Sequence, residues 1–373
     1  DFIQRHAAAV SIYCKVHVIF IRKDLQLPAN TLIEQKQVAG NLTEQIVYYN
    51  SLKTGIKLID RLFSQLKFRQ CQRRCINRYI YENGIPPLVH VHVAMKAGIA
   101  ALWMKRKWGI PYIVSEHWTG YLDDADLGIG AFPVIYQKKL KKVLINACLI
   151  TTVSVVLAKA IQNKFSAKKI NVVPNVVDTN IFYPEARPEN NKVRFIHISN
   201  MSYQKNTGAI LEALSSIKPD VNFEMDLYGA ANAILLSMID KQGLNEEVNI
   251  KGEVPQSELA VAIRQSDALI LYSRFETFGC VLIEANACGI PVIVSDLEVF
   301  HELVEENVNG LFVNKNDPGA LAEKLKLFIQ KQFEFDKYII SANTAKLYTY
   351  KEVGMQFNEI YNKYVYIMPT KRV

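Results

Sequence analysis

Ser273-Arg274-Phe275-Glu276-Thr277-Phe278-Gly279-Cys280-Val281-Leu282-Ile283-Glu284-Ala285-Asn286-Ala287-Cys288-Gly289-Ile290-Pro291-Val292-Ile293 is the most informative stretch of this chain. It reads as a strand end, a short loop, a helix and the next strand. The strand closes near Ser273, the loop carries Glu276, and the helix opens around Phe278 and Gly279 and runs to Cys288. Gly289 stops the helix and Pro291 starts the following strand. The first N–H groups of such a helix have no internal acceptor, and they point at the carboxyl edge of the strand. The helix dipole adds partial positive charge at the same place, which suits a phosphorylated ligand. Gly279 lets a ligand come close to the backbone. Glu276 stands just before the helix, and Glu284 lies five residues past Gly279, about 7.5 Å along the axis. Carboxylates accept hydrogen bonds from vicinal hydroxyls, so one long ligand could offer a sugar to one and a ribose to the other. Taken singly, Glu276 is an ordinary helix-start carboxylate and Glu284 an exposed helix residue. The whole string favours the ligand.

Working outward, short apolar runs alternate with amphipathic ones. Strands are expected at 16–21, 45–49, 88–93, 111–115, 149–153 and 170–173, then at 193–198, 223–228, 248–251, 268–272, 291–294 and 311–313. Helices are expected over 54–83, 94–108 and 154–165, and again between the later strands; Asp317-Pro318 is an N-cap followed by proline at the first helical position. Such alternation predicts parallel sheets with helical crossovers. The chain has 373 residues, half of them apolar, which suits two domains of this kind. The boundary is expected near Pro174-Asn175, giving a first domain over 1–173 and a second over 174–349. A final helix over 350–366 carries Val353, Phe357, Ile360, Tyr361 and Tyr364 on one side. Residues 2–13 read as a helix, whereas a doubly wound domain opens with a strand and a glycine-rich turn. The first domain is therefore expected to lack both, and the chain to be incomplete at its N-terminus.

The net charge of +8 is unevenly spread. Residues 1–173 carry 25 Lys and Arg against 10 Asp and Glu, a net of +15; residues 174–373 carry 19 against 26, a net of −7. Arg69, Arg73, Arg74 and Arg78 form one cluster at helical spacing, and Lys138, Lys139, Lys141 and Lys142 another. Each alone reads as a solvated helix face; together they suggest an anionic acceptor or membrane surface. No nucleic-acid module accompanies the charge, so nucleic acid is not expected as a partner. The six cysteines show no C-x-x-C pair, and free thiols in a reducing compartment are the default, with no structural zinc. The longest uncharged stretch, 143–158, is shorter than the ~20 apolar residues that span a bilayer. The expected location is the cytoplasm, with peripheral contact at the inner face of the plasma membrane.

Glu276-Thr277-Phe278-Gly279 with Glu284-Ala285 and Cys288-Gly289-Ile290-Pro291-Val292 resembles the E-x7-E signature of the retaining glycosyltransferases of family 4. The resemblance implies the GT-B fold, an α/β architecture in which two Rossmann-like domains face each other across a cleft. It implies that Glu276 contacts the donor sugar, that backbone amides around Thr277, Phe278, Gly279, Cys280 and Val281 hold sugar and diphosphate, and that Glu284 binds ribose. The segment from Ile196 to Asn206 is similar to the family's phosphate loop, with Lys205 as the diphosphate cation. Asn200 stands where the family often has a second cation. Tyr228-Gly229 and Gly252-Glu253-Val254 resemble turns that shape the base pocket. Ser115-Glu116-His117-Trp118 resembles a first-domain segment whose histidine lies near donor sugar and acceptor. Its strand-end position also favours function for His117. Val173 through Phe182 resembles the interdomain segment. Arg5 and His6 fall near the cleft without an assigned role.

The implied reaction moves a sugar from a nucleoside diphosphate sugar, UDP- or GDP-linked, to an acceptor hydroxyl with retention and without a metal. Lys205 and the helix N-terminus would stabilise the departing diphosphate. His117, Glu276 and Lys205 are the candidate catalytic residues. The expected acceptor is a glycan or a lipid-linked glycan in surface polysaccharide or lipopolysaccharide assembly. Two rivals stand beside this reading: a nucleotide-sugar epimerase of the same fold, and a non-catalytic nucleotide-sugar-binding protein. A nicotinamide dehydrogenase is disfavoured, because no G-x-G-x-x-G follows a strand.

Overall fold

The structure, a computed structural model, describes residues 2–167, 169–186 and 192–365. Tyr366 of the expected final helix and part of the polar segment after Tyr183 lie outside the described residues. The first half runs α1 (Phe2–Ser11), β1 (Val16–Lys23), β2 (Leu32–Ala39), β3 (Leu42–Tyr49), α2 (Lys57–Asn83), β4 (Val89–His92), α3 (Ala97–Trp108), β5 (Tyr112–Glu116), α4 (Val134–Asn146), β6 (Leu149–Thr152), α5 (Val155–Phe165) and β7 (Ile170–Val172). The second half runs β8 (Val193–Ile198), α6 (Thr207–Ile217), β9 (Phe223–Tyr228), α7 (Ala233–Lys241), β10 (Val248–Gly252), α8 (Gln256–Arg264), β11 (Ala268–Leu271), α9 (Cys280–Ala287), β12 (Val292–Ser295), β13 (Gly310–Val313), α10 (Pro318–Ile329), α11 (Lys337–Tyr348) and α12 (Tyr350–Val365).

Local chemistry sets several of these ends. The side chains of Ser154, Asn232, Asp317 and Asp336 each accept a backbone N–H at a helix start, satisfying a donor that the helix itself leaves free. The expected Asp317-Pro318 start is one of them, with Asp317 Oδ1 accepting from Ala320 N at 2.9 Å.

In the second half six strands form one parallel sheet in the order β10-β9-β8-β11-β12-β13. Chain order reverses between β8 and β11. Helices on either side of such a reversal leave in opposite directions, and a crevice opens outside the carboxyl ends of the two strands. The loops after β8 and β11 therefore meet there.

The first half departs from the all-parallel expectation. β4-β5-β6-β7 is a parallel sheet, but β1-β3-β2 is a separate sheet in which β2 runs antiparallel to β3. The sequence reading missed β2, because 32–39 is polar and mostly exposed, as an edge strand can be. A signal was present: Gly40-Asn41 is a two-residue link whose glycine takes φ +57°, the conformation a tight hairpin requires. β1 and β4 share no ladder, although Ile19 and Val89 belong to one apolar cluster.

The last helix returns to the first half. Val353, Phe357 and Ile360 of α12 pack with Ala9 and Val10 of α1 and with Ile113 and Leu149 of the parallel sheet. The approach is close: a Cβ on Gly354 would stand 2.3 Å from the Ala9 carbonyl oxygen.

Candidate functional site

The loop after β8 holds Asn200 and a 3-10 turn over Tyr203–Lys205; the loop after β11 holds Glu276. Backbone and side chain stitch the two together. Arg274 N donates to the Gln204 carbonyl at 2.8 Å, and Gln204 Nε2 donates to the Phe275 carbonyl at 3.0 Å. This register sets Lys205 Nζ against Glu276 Oε1 in an ion pair, and Ser273 Oγ donates to the same oxygen at 3.2 Å. The pair is largely removed from water, with side chains 19% and 6% exposed. Neither charge is left bare. A diphosphate taking Lys205 and hydroxyls taking Glu276 would exchange partners rather than desolvate lone charges.

α9 begins directly behind Glu276. Gly279 precedes it at φ +97°, and a Cβ there would stand 3.1 Å from the Phe300 ring and 3.2 Å from Leu282. Cys280 and Val281 open the helix and line the same cavity as Glu276, so their unpaired N–H groups lie at its wall. Gly229 brings the neighbouring turn equally close: at φ +131°, its Cβ would fall 1.8 Å from the Ser199 carbonyl oxygen.

These groups share a cavity of about 580 Å³ between the two halves. Asn200, Lys205, Gly229, Glu276, Thr277, Phe278, Gly279, Cys280 and Val281 line it from the second half; Phe2 and His117 line it from the first. Its volume is in the range of small-molecule sites. Tyr228, Glu253 and Val254 form another part of the wall. Thr277 Oγ1 donates to the His117 carbonyl at 3.1 Å, a direct bond across the cleft. Asn200 caps its own loop, its Oδ1 accepting from Ser202 N at 3.2 Å.

Glu284 is the sequence-predicted site residue that does not line this cavity. It is buried behind the start of α9, where Arg5 Nη2 donates to its Oε1 at 2.7 Å. Arg5 Nη1 also donates to the Val176 carbonyl at 3.0 Å, so one arginine from α1 ties the interdomain segment to the second half. Burial raises the Glu284 pKa, and the Arg5 guanidinium pulls it back only in part. Cys280 feels all four charges of the two ion pairs. Burial first, then Glu284, push its thiol up to about 12, so it is a neutral packing group and not a nucleophile.

The first-half wall is built of histidines. His6 of α1, His92 of β4 and His117 after β5 each offer a ring nitrogen, all within 4.8 Å of one another. His90, two residues before His92, bonds outward to Tyr361 and Ser115. His6 Nε2 donates to the Pro174 carbonyl at 3.0 Å, which leaves Nδ1 as the lone-pair nitrogen. His6 Nδ1, His92 Nδ1 and both His117 nitrogens have no partner, although water does not reach them. His92 and His117 are only half-buried as residues, but the sealed nitrogens decide their titration. Burial lowers His6 to about 4 and His92 to about 3, and pulls His117 well below the usual imidazole value. Neutral imidazoles both donate to and accept from hydroxyl groups. The same three nitrogens are also close enough to hold one transition-metal ion. Glu116, beside His117, is fully buried, accepts from Ala94 N and Tyr121 Oη, and is pushed up to about 7 by burial.

Sequence reasoning found His117 and left Arg5 and His6 without roles. It missed His92 altogether. The available signal was His90-x-His92 on a strand, which puts both side chains on one face.

Comparison with known proteins settles the class. The family profile described as "Glycosyltransferase Family 4" matches residues 51–181, and that of "Glycosyl transferases group 1" matches residues 179–346. Together the two profiles span residues 51–346, and the chain is a glycosyltransferase. As such it uses a nucleotide sugar as co-substrate, without a metal cofactor. It is 24% identical over 297 residues to the D-inositol 3-phosphate glycosyltransferase of Paenarthrobacter aurescens (strain TC1), covering 74% of this chain and 72% of that protein. Its fold is that of sucrose-phosphate synthase from Thermosynechococcus elongatus, at a TM-score of 0.76 and 16% identity over 96% of this chain and 91% of the other. HepE of Anabaena in complex with UDP superposes at a TM-score of 0.67 and 18% identity, over 85% of this chain and 86% of that one. These glycosyltransferases share the GT-B architecture, two Rossmann-like domains across a cleft.

Proposed function

We propose that this glycosyltransferase transfers a sugar, with retention, from a UDP- or GDP-linked donor to a hydroxyl of a glycan or lipid-linked acceptor, in the assembly of a surface polysaccharide or lipopolysaccharide. One observation carries the donor site: Lys205, Glu276 and the amino end of α9 converge on one cavity at the topological switch of a parallel sheet. The diphosphate lies at Lys205 and the N–H groups of Cys280 and Val281, which take up its charge as the glycosidic bond breaks. Glu276 holds donor-sugar hydroxyls. His117, with His6 and His92 packed behind it, forms the first-half wall that faces the sugar and acceptor. Glu284 reaches the ribose when Arg5 releases it. Asn200 contacts the diphosphate as a neutral group where relatives often carry a cation. No side chain need act as nucleophile, since the donor phosphate oxygen can take the acceptor proton.

An anionic acceptor agrees with the surplus of cations in the first half, and the relative from Paenarthrobacter aurescens is named for a phosphorylated polyol. The first domain spans 1–173 and carries the acceptor side. The second spans 174–349 and carries the donor side. The cytoplasm is the working compartment, in keeping with six free cysteines.

Calorimetry with UDP, GDP and ADP tests the donor site, on the wild type and on Glu276→Ala. Tight binding of one diphosphate by the wild type, weakened when its sugar nucleotide is offered to the variant, supports the reading. A folded protein that binds none of the three refutes it. Retention is read separately from the anomeric proton coupling of the product, and an inverted product would overturn that part alone.

A further inference from the structure

The two cationic clusters of the sequence, one on α2 and one on α4, lie about seventy residues apart along the chain. The fold brings them together across α3. Arg69 and Arg73 from α2, Arg106 from α3, and Lys139 and Lys142 from α4 rim one cavity of about 340 Å³. No carboxylate lines it. All five cations are exposed side chains. Other cations of the first half find acids, as Arg78 does with Glu34 and Lys164 with Asp123. The five of the rim face one another instead. Like charges gathered around a concavity repel, and they concentrate positive potential in it.

The floor of this cavity is apolar, formed by Leu102, Trp103 and Val143. The Arg73 guanidinium lies over the Trp103 ring at 5.4 Å. A phosphate alone would satisfy the rim and leave this floor wet. A phosphate joined to a hydrocarbon chain satisfies both.

The surface beside the cavity continues the pattern. Leu58, Leu62 and Leu66 stand four residues apart on α2 and are 78%, 54% and 52% exposed. They lie on the stripe that leads to Arg69 and Arg73. α4 likewise opens with exposed Val134 and Ile135, 64% and 66% accessible, and then turns cationic. Two helices with apolar leading turns and cationic following turns match a lipid interface, where chains meet the first and phosphates the second. Among the described residues no helix is long and apolar enough to cross a membrane.

We propose that α2, α3 and α4 form a binding site for an anionic phospholipid, with its phosphate in the Arg69–Arg73–Arg106–Lys139–Lys142 rim and the start of its chain on Trp103. The site is on the outer helices of the first half and shares no lining residue with the donor cavity. It therefore docks the enzyme and does no chemistry. Its purpose, holding the enzyme beside a membrane-borne acceptor, rests on the transferase reading; lipid binding itself does not.

Co-sedimentation with vesicles tests this, using phosphatidylcholine alone and phosphatidylcholine mixed with phosphatidylglycerol. The wild type should bind the mixed vesicles at low salt, lose them at high salt, and ignore phosphatidylcholine. Arg69→Glu combined with Lys139→Glu should weaken binding about tenfold or more. Trp103 should be quenched by brominated acyl chains, a signal that Trp103→Phe removes. Circular dichroism and diphosphate binding, both expected unchanged, show that the charge variant folds. Failure of the wild type to bind mixed vesicles, undiminished binding by the folded variant, or equal affinity for glycerol phosphate alone would overturn the proposal. Tighter binding of a single-stranded oligonucleotide than of vesicles would overturn it too. Vesicle binding without diphosphate binding would leave this site standing and sink the transferase reading instead.

Discussion

The two halves handle charge in opposite ways. In the second half the cleft cation Lys205 is paired with Glu276, and at the other end of the same sheet Arg194 is paired with Glu224 on the neighbouring strand. In the first half, five cations rim a cavity that contains no acid. A paired charge costs little and can change partners when a ligand binds. An unpaired cluster stays in water and attracts an anion from a distance. The difference separates a site that must recognise a ligand in fixed geometry from a surface that needs only the right sign. Arg5 is the exception that joins them, a first-half cation buried against a second-half acid.

Breaking that exception should have the largest effect. Arg5→Ala leaves Glu284 buried and unpaired, and should destabilise the protein by about 3–5 kcal/mol in denaturant unfolding. The Arg5→Ala/Glu284→Ala double variant should recover much of this. Equal losses in the single and double variants would mean that the pair carries no special coupling. Next comes Lys205→Ala, which removes the cation placed to meet the leaving diphosphate and should lower kcat by about 10²–10³-fold. A fall confined to KM would assign Lys205 to ground-state binding only.

The histidines sharpen the comparison through pH. Burial lowers His6 and His197 to about 4 and His92 to about 3, and lowers His90 and His117 as well. An imidazole with a depressed folded-state pKa takes up its proton more readily in the unfolded chain. Stability is then complete above about pH 6.5 and is lost as pH falls toward 4. Glu116, raised to about 7, works the other way between its ordinary value and pH 7, as does Glu284, but five imidazoles outweigh two carboxyls. The unfolding midpoint should fall steeply on acidification, and His92→Gln should make the fall shallower. A melting temperature flat from pH 7 to pH 5 would contradict this. The smallest effect belongs to the first-half rim. Arg69→Ala should change stability by no more than about 0.5 kcal/mol, since nothing buried depends on it.

Much of the second half was legible because its signals are local. Six apolar runs gave six strands, and Glu276, Gly279 and Gly289 marked a loop, a helix start and a helix stop within one short string. The first half was less legible. β2 is too polar to advertise itself, and its antiparallel pairing depends on the Gly40-Asn41 link rather than on burial. His90-x-His92 marked one face of a strand, but not that His92 meets His6 and His117, which come from two other elements. The two basic clusters were each visible, but their common cavity was not.

The sequence by itself determined the parallel α/β architecture, the donor-side string and the imbalance of charge. Hydrophobic period, helix caps and glycine positions act over a few residues, so they can be read in order along the chain. Tertiary structure alone decided which charges meet. It paired Arg5 with Glu284 across 279 positions, set Lys205 on Glu276, gathered three histidines around one point, and left five cations facing each other. Electrostatic and coordinating interactions depend on distance through space, and only the packed sheets and helices fix that distance.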